Sequence, residues 1–389
     1  MVKNTLIIVI FSPGFPPWNI GGEEYYAYYQ TKELSELGNE VHVIARNIGN
    51  TAECKDKPST FYSLLARFSS ASPEILQYSL TTISIFFAFL KLHIRPNLIH
   101  AHDPYGEGLA AIMVKKIFGT PVVITWHAAE LVDTTATFSI VGDACRRVVL
   151  KNANDVIVNS EFFKELAVKA VSNENLGSKM CIISPGVDVN KFKPTSKSFS
   201  IAAIPSDSQV ILAVCRLEKI KGLDILIRTA PHVLKQFPKA HFVLVGSGSE
   251  RANLENLSRE LKVSENIVFA GAVSGELLPV YYSACDVFTV PTRGEGFGMA
   301  FLEAWSSGKP IIVTENAPEI AKLVRKYGGG FVVSDDPQGL AKAIIELLSN
   351  QTMKNEMGKI GRRIALTQYS WRKTAFDIYR TYKIAVSDA

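Results

Sequence analysis

Two basic residues in the second half of the chain have a spacing that could bind an anionic ligand. In CRLEKIKGLDIL, residues 215–226, Arg216 and Lys221 flank a short loop between a predicted strand and a predicted helix. Ligands of doubly wound α/β sheets bind at the carboxyl ends of strands. An arginine fork and a mobile lysine charge together suit a diphosphate. A basic loop that merely faces solvent is the alternative interpretation.

A glycine-rich turn further along the chain carries two carboxylates. In PTRGEGFGMAFLEAW, residues 291–305, Glu295 lies in the turn and Glu303 follows eight residues later. A helix that begins near Gly298 would present backbone N–H groups of residues 297–300 to a phosphate. The two carboxylates would then accept hydrogen bonds from hydroxyls on either side of it, on a sugar and on a ribose. The alternative is a loop charge and a surface helix charge.

The first half of the chain offers weaker signals at the carboxyl ends of predicted strands. Gly21 and Gly22 lie in a strand-to-helix loop, where bare backbone could approach a phosphate or a sugar. A flexible connection would explain them equally well. His127 follows the run PVVITW and Asp103 follows NLIHAH. A packed or surface histidine and a helix-capping acid are their alternative interpretations.

Short β-branched runs alternate with helical patterns along almost the whole chain, which predicts the α/β class with two doubly wound parallel sheets. The runs are continuously apolar, so we expect helices on both faces of each sheet. The predicted strands are TLIIVIF, EVHVIA, NLIHAH, PVVITW, DVIVNS and KMCIIS in the first half, then VILAVC, HFVLVG, NIVFAG, DVFTVP, KPIIVT and GGFVVS.

A stretch rich in Pro, Ser and Lys separates the two sets of strands, so we predict one domain over residues 1–194 and another over 195–368, with a cleft between them. The last segment, residues 369–389, is an amphipathic helix pattern. Its candidate packing residues are Trp371, Phe376, Ile378 and Tyr379.

Composition narrows the class of ligand. The 389 residues are 47% apolar and carry a net charge of +5, all of it from the second half. Without an arginine-rich tract, an anionic small molecule is expected rather than a nucleic acid. The five scattered cysteines include no C-x-x-C, which disfavours disulfides and zinc and fits a reducing cytoplasm.

The most apolar segment is SLTTISIFFAFLKLH, residues 79–93, which is shorter than the ~18 apolar residues of a spanning helix. We expect a packed helix of the first domain. The alternative is a partly exposed face that contacts a membrane surface or a lipid-borne substrate, which would make the protein peripheral at the cytoplasmic face of a membrane.

The order of these motifs resembles the retaining glycosyltransferases of sequence family 4, which have the GT-B fold. The resemblance rests on R-x4-K-G at residues 216–222, on E-x7-E at 295–303, and on SGKPII after it. The segment ISPGVDVNKF looks like that family's domain-linking turn. The resemblance covers essentially the whole chain and implies two Rossmann-like doubly wound domains with an interdomain cleft.

The resemblance also implies roles for matched residues. The donor site would comprise Gly21, Gly22, Arg216, Lys221, Glu295, Phe297, Gly298, Met299 and Glu303. Arg216 and Lys221 would hold the diphosphate, Glu295 the donor sugar and Glu303 the ribose. His127 would face the reacting sugar and would complete a catalytic set with Glu295, Arg216 and Lys221. The first domain would bind the acceptor, and the C-terminal helix would pack back on it. The strand-end position of Asp103 makes it the acceptor-side candidate.

One segment departs from the family. Many members have Gly-Gly-x-Pro-Glu where this chain has Glu-Asn-Ala-Pro-Glu at residues 315–319. Because this loop would close on the donor sugar, the different residues bear on how tightly it closes.

The expected activity is transfer of a hexose from a UDP- or GDP-sugar to a hydroxyl of a glycan, a lipid-linked sugar or a small molecule, with retention of configuration. The sequence contains no D-x-D, so we expect no divalent metal or other cofactor. The alternatives are a non-catalytic nucleotide-sugar-binding protein, a glycosidase using the two carboxylates, and a dinucleotide-dependent oxidoreductase. The glycine fingerprint of the last is interrupted at Arg251 in VGSGSER, where a tight turn is the other interpretation.

Overall fold

The computed structural model describes residues 5–16, 21–46, 60–64, 74–127, 131, 140–171, 174–195 and 204–388. The chain divides into two compact units. The first unit comprises Met1–Pro185 and Trp371–Ala389, and the second comprises Gly186–Ser370. The boundaries predicted from the sequence lie nearby, at residues 194–195 and 368–369.

The first unit contains a seven-stranded sheet in the order β3-β2-β1-β4-β5-β6-β7. Its strands are β1 (Ile7–Ser12), β2 (Glu40–Arg46), β3 (Thr60–Leu64), β4 (Leu98–His102), β5 (Val122–Trp126), β6 (Asp155–Val158) and β7 (Met180–Ile182). Its helices are α1 (Gly22–Glu36), α2 (Glu74–Lys91), α3 (Gly106–Phe118), α4 (Ile140–Asn152), α5 (Glu161–Val171), α6 (Glu174–Lys179) and, at the end of the chain, α14 (Trp371–Ser387).

The second unit contains a six-stranded sheet in the order β10-β9-β8-β11-β12-β13. Its strands are β8 (Val210–Val214), β9 (His241–Val245), β10 (Ile267–Gly271), β11 (Val287–Val290), β12 (Ile311–Thr314) and β13 (Gly330–Val333). Its helices are α7 (Leu223–Leu234), α8 (Arg251–Glu260), α9 (Leu278–Ala284), α10 (Ala300–Ser306), α11 (Pro318–Tyr327), α12 (Pro337–Ser349) and α13 (Gln351–Gln368).

Both sheets are parallel and doubly wound, as predicted. The chain winds outward in one direction from β1 and then returns to place β4 on its other side. It does the same around β8, which pairs with both β9 and β11. The carboxyl ends of β1 and β4, and of β8 and β11, are therefore the topological switch points where ligands of such sheets bind.

All twelve predicted strands are present, because continuous apolar runs match strands that are buried on both faces. The additional strand β3 pairs with β2 at the edge of the first sheet and was not predicted. Its sequence, TFYSL, has neither the length nor the apolar content of the other runs.

Helices cover both faces of the first sheet. The crossover from β1 to β2 contains α1 and runs in one direction along the sheet, whereas the crossovers that contain α2, α3 and α4 run in the other. Because such connections are right-handed, α1 lies on one face of the sheet and α2, α3 and α4 lie on the opposite face. Helix α14 packs against α1, with Tyr29 stacked on Trp371 at a centroid distance of 5.1 Å. Trp371 and Ile378 are buried as expected, but Phe376 is 51% exposed, so its predicted packing role is wrong. It lies on the outer side of the helix, two positions from the buried Ile378.

No helix in the described part of the chain combines the length and hydrophobicity that a membrane-spanning segment needs.

Candidate active site

The second unit presents two charged loops at its topological switch point. One follows β8 and contains Arg216 and Lys221, and the other follows β11 and contains Glu295. Because β8 and β11 are adjacent parallel strands that end at the same edge of the sheet, the two loops leave that edge side by side. Sequence motifs more than 70 residues apart are thereby brought together.

Backbone contacts hold the two loops against each other. The Arg293 N–H donates to the carbonyl of Ile220 at 2.8 Å, and the Thr292 hydroxyl donates to the same carbonyl at 3.0 Å. Gly222 has a φ of +63°, and a Cβ added there would lie 1.8 Å from the carbonyl oxygen of Pro291. Only glycine allows this approach without displacement of one loop.

Lys221 and Glu295 form an ion pair across the loops. The Lys221 ammonium donates a hydrogen bond to Glu295 Oε2, and the two side chains are 17% and 19% exposed. The Glu295 N–H also donates to the carbonyl of Asn316 at 3.2 Å, which links it to the segment that departs from the family pattern. A Cβ at Gly298 would lie 3.2 Å from Glu295 Cδ. Lys221, Glu295 and the Gly298 turn are therefore in one place.

Arg216 lies beside this pair but extends into solvent. Its side chain is 72% exposed and donates to Glu218 Oε1 at 2.5 Å. Burial raises the pKa of the half-buried Cys215 thiol to about 12. The charges of Lys221 and Arg216 oppose this rise, and those of Glu295 and Glu218 add to it. All four charges therefore act on the same thiol.

Glu303 is partly buried, and a buried side chain holds one of its oxygens. The hydroxyl of Tyr282, itself fully buried, donates to Glu303 Oε2 at 2.7 Å. Burial raises the pKa of Glu303 to about 7, against the opposing effects of the Tyr282 hydrogen bond and the Lys191 charge. The pKa of Tyr282 is well above its ordinary value, chiefly because of burial. Glu303 is therefore a partly exposed carboxyl with one fixed hydrogen-bond partner.

The helix that carries Glu303 is short. Helix α10 begins at Ala300, two residues after Gly298, and the carbonyl of its N-cap Met299 accepts from the Glu303 N–H at 3.2 Å. Phe297 is buried and makes an edge-to-face contact with Phe301 at a centroid distance of 5.3 Å. The Phe297 side chain therefore packs inside the turn, and only the backbone of Phe297 remains to contact a ligand.

The glycine pair in VGSGSE supports the first loop. Gly246 has a φ of +139°, and a Cβ there would lie 1.9 Å from the carbonyl oxygen of Cys215. The Leu217 N–H donates to the carbonyl of Ser247 at 2.9 Å. This stretch is a tight turn packed on the backbone beside Arg216, and it has the interrupted fingerprint that disfavours a dinucleotide site.

Gly21, Gly22 and Asp103 belong to the first unit. Gly21 is the N-cap of α1 in an extended conformation, and Gly22 is the first residue of that helix. Asp103 follows β4 with a φ of +72°, and its N–H donates to the carbonyl of Thr125 at 2.8 Å. Because the N-cap of α3 is Tyr105, Asp103 is not the capping acid of its alternative interpretation.

His127 also belongs to the first unit, where it is part of a buried histidine cluster. Its Nε2 lies 3.1 Å from Nδ1 of His102, the two rings stack at 5.4 Å, and Asn159 Nδ2 lies 3.5 Å from its Nδ1. Burial and the neighbouring imidazoles lower the pKa of His102, and burial and the charge of His127 lower that of His100 to about 3. His100 and His102 are thus neutral at pH 7.

Several neighbours of the candidate residues were not singled out from the sequence. The pattern HAH could have indicated His100 and His102, since alternate residues of a strand face the same side. No sequence signal pointed to Tyr282 as the partner of Glu303, because the contact joins two helices. Within the described residues, His, Cys, Asp and Glu side chains form no group of three or more that could hold a metal ion.

Comparison with known proteins identifies the family. A family model described as Glycosyltransferase Family 4 matches residues 20–191, and one described as Glycosyl transferases group 1 matches residues 195–364. The D-inositol 3-phosphate glycosyltransferase of Corynebacterium urealyticum is 27% identical, with 93% of this chain and 90% of the relative covered.

Solved structures show the same fold. Sucrose-phosphate synthase from Thermosynechococcus elongatus has a TM-score of 0.82 and 23% identity over 99% of this chain and 100% of that chain. HepE of Anabaena, in complex with UDP-glucose, has a TM-score of 0.76 and 18% identity over 97% of this chain and 100% of that chain. The chain therefore belongs to the family 4 glycosyltransferases and has the GT-B fold, with two Rossmann-like doubly wound parallel sheets.

Proposed function

We propose that this glycosyltransferase moves a hexose from a UDP- or GDP-sugar to an acceptor hydroxyl, with retention of anomeric configuration and without a divalent metal. The observation that carries the proposal is the group formed by Arg216, Lys221 and Glu295 on two adjoining loops at the switch point of the second sheet. The HepE structure that shares the fold binds UDP-glucose, which supports a nucleotide-sugar donor.

The donor diphosphate is assigned to Arg216 and Lys221. Negative charge grows on the diphosphate as the bond to the sugar breaks, so fixed cations there stabilise the transition state more than the ground state. The extended Arg216 side chain can swing onto a diphosphate oxygen because its present partner, Glu218, lies on the same loop. Lys221 has three N–H donors, so it can bind a phosphate oxygen and keep its contact with Glu295.

The two carboxylates are assigned to hydroxyls of the donor. Glu295 would accept from the hexose, and its orientation is fixed by Lys221 and by the Asn316 carbonyl at its backbone. Glu303 would accept from the ribose, and Tyr282 fixes one of its oxygens. Both assignments use the ionised carboxylates as hydrogen-bond acceptors rather than as the nucleophile and acid of a glycosidase.

The reaction balances without a protein nucleophile. The bond between the anomeric carbon and the diphosphate oxygen breaks, and the acceptor oxygen bonds to the same face of the sugar. The acceptor hydroxyl proton passes to the departing diphosphate oxygen. The products are the glycoside and UDP or GDP.

Gly21, Gly22, His127 and Asp103 keep the roles expected of them in the sequence analysis. The two glycines are proposed for the donor phosphates, His127 for the reacting sugar and Asp103 for the acceptor side. The buried position of His127 and its hydrogen bond to His102 support a fixed orientation of the imidazole ring.

A donor panel tests the proposal. The full chain is incubated with UDP- and GDP-hexoses and water as the acceptor, and the released sugar is followed by proton NMR before mutarotation. We expect slow release of the nucleoside diphosphate from one donor, with the anomeric configuration kept. Cleavage of simple glycosides while every nucleotide sugar stays intact would instead favour the glycosidase.

A variant separates transfer from binding. Glu295→Gln is expected to retain UDP or GDP binding, since Arg216 and Lys221 remain, and to slow turnover by roughly 10²-fold or more through loss of a contact to the reacting sugar. An inactive wild type that binds the donor tightly would identify a non-catalytic nucleotide-sugar-binding protein.

A further inference from the structure

Helix α2 exposes large apolar side chains on the side that faces away from the sheet. Its inner side buries Thr81, Thr82, Ile85 and Phe89. Its outer side exposes Leu76, Ile83, Phe87 and Leu90. These outer positions fall on one stripe of the helix, because they are spaced by seven, four and three residues. The helix thus has an apolar stripe toward solvent where a globular domain ordinarily carries charge.

The neighbouring helix extends this surface. Helices α2, α3 and α4 lie in one layer on the same face of the sheet and contact one another. The outer side of α3 exposes Met113 and Ile117. Phe118, at the end of α3, lies 5.9 Å from Phe89 of α2 by ring centroids, which shows how closely the two helices meet. We call Leu76, Ile83, Phe87, Leu90, Met113 and Ile117 the outer apolar face.

Basic residues border the outer apolar face at one end. The three helices run parallel, so their C-terminal ends share one edge of the layer, and that edge is basic. The exposed basic side chains are Lys91, Arg95, Lys116, Arg147 and Lys151.

The acidic side chains of the three helices do not offset this charge. Helices α2, α3 and α4 contain six Lys and Arg against three Asp and Glu. Of the three acids, Glu74 begins α2 at the opposite end of the layer, Glu107 is buried, and Asp143 pairs with Arg146. The C-terminal ends of these helices therefore carry a net positive charge.

We propose that the outer apolar face docks on the surface of an anionic phospholipid bilayer. Apolar side chains entering the acyl boundary while adjacent lysines and arginines contact anionic headgroups are the two elements of interfacial binding. An anionic surface is favoured as the occupant over a second copy of the chain, because it complements the positive border and a second copy carries the same charge. This surface role is independent of the donor site, and it would bring a lipid-borne acceptor to the first unit.

Vesicle flotation tests the apolar contribution. The full chain is mixed with phosphatidylcholine vesicles with and without phosphatidylglycerol, and the floated fraction is measured. We expect binding only with phosphatidylglycerol. Ile83→Ser with Phe87→Ser should weaken the partition about three- to tenfold per side chain, because docking newly buries only the exposed half of each. Phe376→Ser is the matched control, because Phe376 and Phe87 are 51% and 58% exposed, and it should bind like wild type.

Charge reversal tests the basic border. Lys91→Glu with Lys116→Glu should weaken binding by more than about fivefold per residue, since each basic side chain near an anionic surface contributes about that factor. Lys32→Glu with Arg380→Glu removes the same charge from α1 and α14, which lie on the other face of the sheet, and should have little effect. High salt should reduce the difference between the pairs.

Three results would overturn the proposal. They are failure of the wild type to float with anionic vesicles, equal loss of binding in the control and test variants, and a dimer in light scattering that Phe87→Ser converts to monomer. Donor hydrolysis is measured on the same variants without vesicles. Since none of the changed residues belongs to the donor site, unchanged hydrolysis shows that each variant is folded.

Discussion

Replacing Glu303 by glutamine should make the protein more stable at alkaline pH. Burial raises the pKa of Glu303 to about 7 from an ordinary value of 4.5. The stability that comes from the protonated carboxyl is fully present below the ordinary pKa. It is lost as the pH rises through about 7, because the folded state binds the proton more tightly than the unfolded state. Glu303→Gln keeps an oxygen for the Tyr282 hydroxyl and removes the ionisation.

The size of the effect follows from the difference in pKa. A difference of about 2.5 at about 1.4 kcal/mol per pKa unit gives about 3 kcal/mol between pH 4 and pH 8. Because Glu303 is only partly buried by its surface area, this value is an upper limit. We expect the variant to match wild type near pH 4 and to exceed it by about 1–3 kcal/mol above pH 8.

Urea denaturation followed by far-ultraviolet circular dichroism, repeated between pH 4 and pH 9, measures this difference. Wild-type stability relative to the variant should fall mainly between pH 4.5 and pH 7 and stay constant above. A difference between the two proteins that does not change with pH, or a variant that is less stable at pH 8, would refute the assigned burial of this carboxyl.

The same residue links stability to donor binding. If the ionised Glu303 accepts a hydrogen bond from the ribose, wild-type affinity for UDP or GDP should rise as the pH passes through about 7. Glu303→Gln should bind more weakly at pH 8 and show a flatter profile. Parallel profiles for the two proteins in calorimetric titrations would separate Glu303 from the ribose.

Three further perturbations test other parts of the account. Gly222→Ala places a Cβ 1.8 Å from the Pro291 carbonyl oxygen, so it should lower the free energy of unfolding by more than the ~1–3 kcal/mol of backbone strain alone. Gly119→Ala, at a φ of +74° with open space around it, should cost only that strain. Thermal unfolding of the two variants measures the difference. Arg362→Met removes a guanidinium that donates to the carbonyls of residues 189, 192 and 306, and should lower the free energy of unfolding by about 2–4 kcal/mol. Arg363 is exposed, so Arg363→Met should lower it by less than about 0.5 kcal/mol in the same thermal unfolding experiment. Transfer should persist in EDTA, and complete loss of turnover that manganese restores would show a metal requirement.

The parallel sheets were predictable because the local pattern and the fold agree. A run such as VILAVC is apolar at every position, and a strand buried on both faces requires that. Strand β3 was not predictable on the same basis, since TFYSL owes its place to backbone pairing with β2 at an edge. Phe376 was wrongly placed in a core because a helical pattern with aromatic residues on several sides does not say which side packs.

The two charged loops of the second unit were predictable in type and order, but the contacts between them were not. Motif order placed Arg216, Lys221 and Glu295 at strand ends, and strand adjacency then brings them together. The ion pair between Lys221 and Glu295 depends on the close approach at Gly222, which a sequence does not show. The contact between Glu303 and Tyr282 is set by the packing of α9 and α10, and no residue spacing encodes it.

Nucleotide binding by Lys221 variants tests the central assignment most directly. Calorimetric titration compares UDP with uridine, or GDP with guanosine, in wild type, in Lys221→Ala and in Lys219→Ala, which removes an exposed lysine from the same turn. We predict that Lys221→Ala weakens binding of the nucleoside diphosphate about 10- to 100-fold, the value of a charged hydrogen bond. Its affinity for the nucleoside should not change, and Lys219→Ala should bind both ligands like wild type. Equal affinities of wild type and Lys221→Ala for the diphosphate would contradict the account.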